Sequence, residues 1–155
     1  MQLGFGIAGD WSKIAFADTE NKSAAYYAHF GPFQHIPFDP DDIPGGYHPD
    51  NWVKLIKEIE ADKSIDVLIM DSISHEWDGK GGCLELNQKM GGRFQDWAKV
   101  TPMHNAFIDA MRHSRLHIIG CMRSKQDYAM EQNERGKTEV RKVGMKSVQR
   151  EGLDY

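Results

Sequence analysis

Several features that mark other classes of protein are missing from this chain of 155 residues. Its two cysteines, Cys83 and Cys121, are too few and too unpatterned for a disulfide framework or a zinc site. No apolar stretch approaches the ~20 residues that a membrane helix needs, and the first residues lack the basic and apolar parts of a secretory signal. The net charge of −4 argues against a surface that is basic throughout. We expect one cytoplasmic domain without a membrane span, in which both cysteines are small core residues.

A phosphate-binding loop is missing as well. No Gly-x-x-x-x-Gly-Lys-Ser/Thr segment occurs in the sequence, so the backbone cradle of a P-loop is not among these residues. Residues 4–9 do match the G-x-G-x-x-G spacing of dinucleotide-binding loops. That spacing works between a strand and the helix that it opens, whereas here a strand follows it. We therefore expect Gly9 to end a helix rather than to contact a dinucleotide.

Positive charge is concentrated in the C-terminal part of the sequence. Residues 1–122 contain 11 Lys and Arg against 17 Asp and Glu, whereas residues 123–155 contain 8 against 6. Six basic residues and one acid, Glu139, lie between positions 135 and 150. An acidic body with a basic segment predicts that any contact with a polyanion is local. A solvated hairpin is the alternative interpretation of the same charges.

Two apolar strands that end in a carboxylate are the most informative feature present. Residues 13–18 end in Asp18, two positions before Glu20, and residues 65–70 run directly into Asp71. Continuous apolar runs of this length are typical of parallel strands buried on both faces. The carboxyl ends of such strands form the edge at which α/β proteins bind ligands. In nucleotide hydrolases the second pattern is the Walker B strand, whose Asp orients Mg²⁺.

Strands alternate with helical segments along the chain. We predict strands at residues 13–18, 33–38, 65–70 and 116–122, and helices at residues 22–30 and 84–90, from His48 onwards and from Thr101 onwards. This alternation predicts an α/β protein with a mainly parallel sheet. Further strands at 128–130 and 138–143 flank the turn residues 133–136 and predict a β-hairpin.

The strand ends, taken together, resemble the RecA-type P-loop ATPases. The residues that carry the resemblance are 16–21, 67–77 and the strand at 116–122 with the Arg123-Ser-Lys125 that follows it. Similar proteins are encoded by phages and mobile elements, act in single-strand recombination, and are usually labelled AAA-family ATPases. Residues 136–155 are also similar to theirs. The resemblance implies a RecA-like three-layer αβα fold with a mainly parallel sheet and a C-terminal β-hairpin segment.

Members of that family begin with a strand, a P-loop and a helix, and they continue beyond the position of residue 155 into another strand. We therefore expect residues 1–155 to be a single RecA-like ATPase core that is truncated at both ends. The cofactors that the resemblance implies are ATP and Mg²⁺. Tight ATP binding is expected only together with a P-loop segment, so the isolated chain is expected to be inactive.

The resemblance also implies roles for individual residues. Asp71 matches the Walker B carboxylate that holds Mg²⁺ through water, and Ser72 follows it in the nucleotide site. Glu20 matches the catalytic glutamate that orients or deprotonates the attacking water. Arg123 stands where the family senses the γ-phosphate, and a positive charge there favours the transition state. Asp18 is interpreted as a structural residue at its strand end.

Single-stranded DNA is the implied partner, and apolar sheet faces beside a missing strand predict self-association. The residues expected to contact DNA are the basic residues of the 124–150 segment, namely Lys125, Arg135, Lys137, Arg141, Lys142, Lys146 and Arg150.

Two other functions fit parts of the same sequence. Without a P-loop, the chain could be a non-catalytic DNA-binding or assembly module. Alternatively, Asp71, His75 and Glu76 near a sheet edge could form the site of a metal-dependent nuclease, although no H-x-E spacing accompanies them. Sequence upstream of Met1 would separate the ATPase from the module. Metal-dependent cleavage of DNA without ATP would identify the nuclease.

Overall fold

A four-stranded parallel sheet lies at the centre of the protein. The structure is a computed structural model that describes residues 1–20, 23–132 and 138–150, with the backbone alone described for 128–132 and 138–141. The sheet has the order β2-β1-β3-β4, and its strands are β1 (Ile14–Asp18), β2 (Gln34–Pro37), β3 (Val67–Asp71) and β4 (His117–Cys121). All three pairings are parallel. The predicted parallel sheet is therefore confirmed.

Helices cover both faces of this sheet. The α-helices are α1 (Gln2–Ala8), α2 (Pro49–Ala61), α3 (Ser74–Asp78), α4 (Cys83–Lys89) and α5 (Trp97–His113), and short 3-10 helices span Trp11–Lys13, Ser23–Phe30 and Phe94–Asp96. On one face, α2 and α5 cover a core that includes Trp52, Leu68 and Phe107. On the other face lies a smaller core with Ile14, Phe16 and Ile69, against which α1 packs. The result is the predicted α/β fold in three layers.

Local sequence signals explain where the first helices begin and end. Gly9 ends α1 with φ +69°, a left-handed conformation that glycine adopts without steric cost. His48 caps α2, because its Nδ1 accepts a hydrogen bond from the Asp50 backbone N–H at 3.1 Å, and Pro49 occupies the first turn. In α2 the apolar residues recur with helical spacing and are buried, as predicted for an amphipathic helix: Trp52, Leu55, Ile56 and Ile59.

The predicted start of the long helix at Thr101 is wrong by four residues, since α5 begins at Trp97 and Pro102 lies inside it. Proline cannot donate a backbone hydrogen bond, so Pro102 leaves the Ala98 carbonyl without its usual intrahelical partner. The turn before α5 stabilises the earlier start: the Arg93 N–H donates to Asp96 Oδ2 at 3.1 Å. The segment predicted as a helix at residues 22–30 is a 3-10 helix from Ser23.

A two-stranded antiparallel hairpin follows the sheet, as predicted. It consists of β5 (Ser124–Gln132) and β6 (Thr138–Ser147), both longer than the sequence indicates. The predicted turn at residues 133–136 lies outside the described residues. The hairpin continues for one position beyond these strands, because the Val148 N–H donates to the Arg123 carbonyl at 2.7 Å. In the described part of the chain, no helix has the length and apolar character to cross a membrane.

Candidate functional site

The carboxyl ends of the parallel strands place acidic residues side by side. In the sheet register, Asp18 at the end of β1 is the partner of Asp71 at the end of β3, and Asp71 is the partner of Cys121 on β4. Because both strands are buried along their length, their last residues are the first that can reach solvent. The edge therefore carries two adjacent carboxylates, with Glu20 in the loop that follows β1.

Asp18 uses its carboxylate to organise the loop after β1. The side chain is buried and accepts hydrogen bonds from the Glu20 N–H at 2.9 Å and from the Ala24 N–H at 2.8 Å. Ser23 Oγ and His35 Nε2 lie 3.2 Å from the same carboxylate. With four partners, Asp18 fixes the position of Glu20 rather than facing a ligand, in agreement with its structural interpretation.

Asp71 faces the edge from the central strand and is half-buried. Burial raises the pKa of its carboxyl group, and the negative charges of Glu20 and Asp18 raise this pKa further. The amino group of Met1 acts in the opposite direction on the pKa values of both Asp71 and Cys121. The Met1 amino group therefore contributes positive charge to the surroundings of both residues.

Glu20 and Arg123 come together although they are far apart in the sequence. Arg123 Nε lies 3.4 Å from Glu20 Oε1, and Arg123 Nη2 lies 3.8 Å from Asp78 Oδ1. His75 Nε2 is 3.8 Å from the same Glu20 oxygen. The Arg123 side chain is about half exposed (46%) and that of Glu20 is 38% exposed, so both remain accessible to a ligand.

Thr19 and Tyr47 support the site, and the sequence gives no sign of either role. Thr19 Oγ1 accepts a hydrogen bond from the Ser72 N–H at 2.6 Å and lies 2.6 Å from His75 Nδ1. The Tyr47 hydroxyl donates to the Thr19 carbonyl at 3.3 Å, and its ring stacks on His75 with centroids 4.8 Å apart. Burial raises the pKa of Tyr47 to about 12, so the hydroxyl stays protonated at neutral pH and keeps donating.

Comparison with known proteins assigns the chain to a family. The model of a family described as an AAA domain matches residues 7–153, which is most of the chain. The chain belongs to the AAA-domain family. No curated protein and no solved structure matches it. Membership relates this AAA domain to the P-loop ATPases, so an ATPase-like function is indicated, and a nucleotide with Mg²⁺ is the usual cofactor of such enzymes.

The edge of this AAA domain fits a hard divalent cation. Mg²⁺ prefers oxygen ligands and retains much of its water, and Asp71 offers a half-buried carboxylate in the field of Glu20 and Asp18. A cation would offset this repulsion among carboxylates. Ser72 Oγ, on the residue after Asp71, is buried and makes no hydrogen bond to any residue that the structure describes.

A second group of ionisable residues is buried inside this AAA domain. Glu76 Oε1 lies 3.0 Å from His104 Nδ1 and accepts a hydrogen bond from Cys83 Sγ at 3.1 Å. Within the described residues, these three side chains form one cluster of candidate metal ligands. Its thiol and imidazole do not suit Mg²⁺, and Glu76 is turned away from the edge. Of the three residues proposed for a nuclease site, Asp71, His75 and Glu76, the last is therefore engaged in this buried cluster instead.

The predicted DNA-contacting residues lie along the hairpin and just beyond it. Lys125 and Lys142 are exposed, and Lys125 is the cross-strand partner of Lys146. Arg150 Nη1 donates to Thr101 Oγ1 on α5 at 3.1 Å, so this side chain contacts the body of the domain. Three predicted contacts cannot be placed: Arg135 and Lys137 lie outside the described residues, as does the side chain of Arg141.

Proposed function

We propose that this chain is an ATP-binding and ATP-hydrolysing RecA-like protein of phage-type DNA recombination, acting in the cytoplasm on single-stranded DNA. The observation that supports this most directly is the meeting of Asp71, Glu20 and Arg123 at one edge of the sheet. A metal-holding acid, a water-orienting acid and a cation are the groups that phosphoryl transfer to water requires.

Each residue has a distinct part in this proposal. Mg²⁺ would neutralise charge on the phosphates, and Asp71 would hold it through water. Glu20 is kept in place by the hydrogen bond from its N–H to Asp18 Oδ1, which orients it as the base or water-positioning group. Arg123 supplies positive charge beside Glu20 and so would favour negative charge that develops in the transition state.

The phosphates themselves need another segment. We propose that the 155 residues hold the metal- and water-positioning half of the site, and that residues outside this sequence supply the P-loop. The orientation of α1 supports this, since the charge of the Met1 amino group acts on Asp71 and the helix packs through Gly4 on the side chains of β1 and β3. A P-loop joined to such a helix would deliver its backbone N–H groups to the same edge.

The chain alone is expected to bind Mg-ATP only weakly, with a Kd well above the micromolar range. The P-loop normally supplies the N–H cradle, the Lys on the phosphates and a hydroxyl for Mg²⁺, and no segment of this sequence replaces it. Isothermal titration calorimetry with the purified chain measures this. Saturable micromolar binding would contradict the proposed division of the site, and the Asp71→Asn variant would then show whether the edge is involved.

Self-association is expected for the same chain. Large apolar side chains of α1 are exposed, with Leu3 at 68% and Ile7 at 43%, and such exposure favours contact between copies. We propose a homo-oligomer as the working form of the protein, because contact between copies would remove these apolar side chains from water.

The hairpin is the proposed contact to DNA. Its described lysines present positive charge on both strands, and Lys125 and Lys146 stand opposite one another. The main alternative, a non-catalytic DNA-binding module, needs the same contact but no ATP hydrolysis.

Replacing Lys125, Lys142 and Lys146 by Ala should weaken binding of single-stranded DNA to a similar extent for all sequences. The slope of log K against log salt concentration should become shallower by roughly 0.7 for each lost phosphate contact. Fluorescence anisotropy over a range of salt concentrations provides the measurement. A matched control replaces Lys54, Lys57 and Lys63, which are exposed at or beside α2. Equal effects of the two triple variants would remove the hairpin from the DNA site.

A further inference from the structure

A group of aromatic side chains lies close to Arg150, in the segment that follows the hairpin. Phe94, in the 3-10 helix before α5, is 91% exposed. Trp77 at the end of α3 and Trp97 at the start of α5 stack with ring centroids 5.3 Å apart and planes inclined by 16°. An almost fully exposed Phe next to a partly buried pair of Trp rings leaves apolar surface in water, which commonly marks a binding surface.

These rings line a cleft of about 760 Å³, within the usual size range of ligand sites. The cleft is also lined by Gln95, Ala98, Thr101 and Arg150. Arg150 reaches it from the end of the hairpin and is held there by the hydrogen bond from Nη1 to Thr101 Oγ1. We name this feature the aromatic cleft, defined by Trp77, Phe94, Trp97, Thr101 and Arg150.

The charges around the aromatic cleft indicate what it binds. Among the residues that the structure describes, those lining the cleft include one cation, Arg150, and no acidic side chain. Arg150 follows the hairpin in the sequence, and Lys125 and Lys142 are exposed on the hairpin itself. A ligand that suits the cleft therefore combines flat aromatic groups with negative charge at regular intervals. Single-stranded DNA has this chemistry, because its bases stack on aromatic side chains while its phosphates contact Arg and Lys.

We propose that the aromatic cleft is the base-stacking site for single-stranded DNA, with Phe94 and the Trp77–Trp97 pair as the stacking surfaces. The proposal rests on the proposed function, since it names where the DNA of that function is held. Arg150 contacts a phosphate at the edge of the cleft, and the hairpin lysines contact the phosphates that follow. Stacking of this kind tolerates any base, because every base has an aromatic face.

One short helix, α3, connects the aromatic cleft with the sheet edge at which the proposed catalytic residues lie. α3 carries Asp78, which is 3.8 Å from Arg123, and His75, which is 3.8 Å from Glu20. The same helix carries Trp77 into the cleft. The segment after the hairpin is fixed beside α3 as well, because Gln149 Nε2 donates to the Ile73 carbonyl at 3.3 Å. A strand of DNA on the hairpin would therefore reach the cleft next to the proposed catalytic residues.

Phe94→Ala is the decisive variant, because an exposed side chain can be removed with little effect on folding. Affinity of the full chain for a labelled dT oligonucleotide of about 15 residues should fall about fivefold or more, since one stacked base is lost. Phe94→Tyr should retain wild-type affinity because the ring remains. Tyr26→Ala is the matched control, as it removes an aromatic side chain that is 81% exposed outside the cleft.

Two further measurements separate stacking from phosphate contact. With an abasic oligonucleotide of the same length, wild type and Phe94→Ala should bind equally, because no base is available to stack. Arg150→Gln should flatten the salt dependence by roughly 0.7, whereas Phe94→Ala should leave the slope unchanged. Binding of dT should also quench tryptophan emission in the wild type, since Trp77 and Trp97 lie in the cleft.

The outcomes distinguish this proposal from the function on which it rests. If dT binding depends on the hairpin lysines but is the same for Phe94→Ala and wild type, the aromatic cleft is not the stacking site, although the DNA-binding function stands. If the wild-type chain binds neither dT nor the abasic strand, both proposals fail. If Phe94→Ala weakens abasic and dT binding alike, the effect is structural and the stacking role is overturned.

Discussion

Replacing Glu20 by Gln is expected to lower the rate of ATP hydrolysis by about 100-fold or more, while the affinity for nucleotide changes little. The amide retains the size of the carboxylate but cannot accept a proton, and general-base catalysis contributes at least this factor. The measurement needs a form of the protein that carries a P-loop ahead of α1. Steady-state phosphate release gives the rate, and titration with a fluorescent nucleotide gives the affinity.

Asp71→Asn should behave differently in the same protein. The carboxylate of Asp71 is proposed to hold Mg²⁺, so its loss should weaken binding of the Mg-nucleotide complex as well as hydrolysis. Glu58→Gln is the control, because Glu58 is an exposed acid on α2 (63%). Equal loss of nucleotide affinity in the Glu20 and Asp71 variants would mean that Glu20 has a structural role. A Glu20→Gln enzyme with wild-type turnover would exclude it as the base.

Arg123 complicates the interpretation of Glu20 in a way that can be tested. Its guanidinium lies 3.4 Å from the Glu20 carboxylate, so Glu20→Gln also releases Arg123 from an ion pair. If Arg123 acts on the phosphates, Arg123→Ala should lower turnover more than nucleotide affinity. If it serves only to orient Glu20, the double variant should be no slower than Glu20→Gln alone.

The strands could be predicted because their buried apolar residues follow one another directly in the sequence. Residues 14–17 and 67–70 are apolar without interruption, and the strands predicted at 13–18 and 65–70 lie within two residues of the observed bounds. Two strands of this kind, each followed by helical segments, leave few arrangements other than a parallel sheet. The convergence of Asp18 and Asp71 then follows from topology, since parallel strands end at one edge.

The environment of those acids could not be predicted, because it depends on contacts between distant residues. Thr19 contacts His75 and Tyr47 across 56 and 28 residues, and no periodic pattern connects them. The start of α5 was obscured by Pro102, which usually marks a first turn. Trp97 begins the helix four residues earlier in contact with Trp77, so tertiary packing overrides the local signal.

The burial of His104 beside a polar partner could be predicted from the sequence. Val100, His104 and Phe107 are spaced by four and three residues, and all three are buried on one face of α5. A histidine in an apolar stripe is then expected to have a buried polar partner, since an unpaired polar group in a core is costly. The identity of the partner, Glu76, could not be read from the sequence, because 28 residues separate them.

Replacing His104 by Ala is expected to destabilise the protein by about 3 kcal/mol, the cost of leaving a buried ionisable group without its partner. Glu76 is fully buried, and both of its carboxylate oxygens lie within hydrogen-bond distance of His104 Nδ1, at 3.0 and 3.1 Å. Cys83 remains as a donor to Glu76, but a thiol is a weak donor. Burial and the charge of Glu76 raise the pKa of this thiol, which keeps its proton available.

The loss would be a large share of the ~5–15 kcal/mol that stabilises a typical domain, so it should be clear in urea unfolding followed by circular dichroism. His113→Ala is the control, because it makes the same substitution at an exposed position of α5 and should change the free energy of unfolding by less than about 0.5 kcal/mol. In a Glu76→Ala background, His104→Ala should cost much less than in the wild type, since the carboxylate that needs it is gone. An equal cost in both backgrounds would show that His104 stabilises α5 through packing against Trp77 rather than through Glu76.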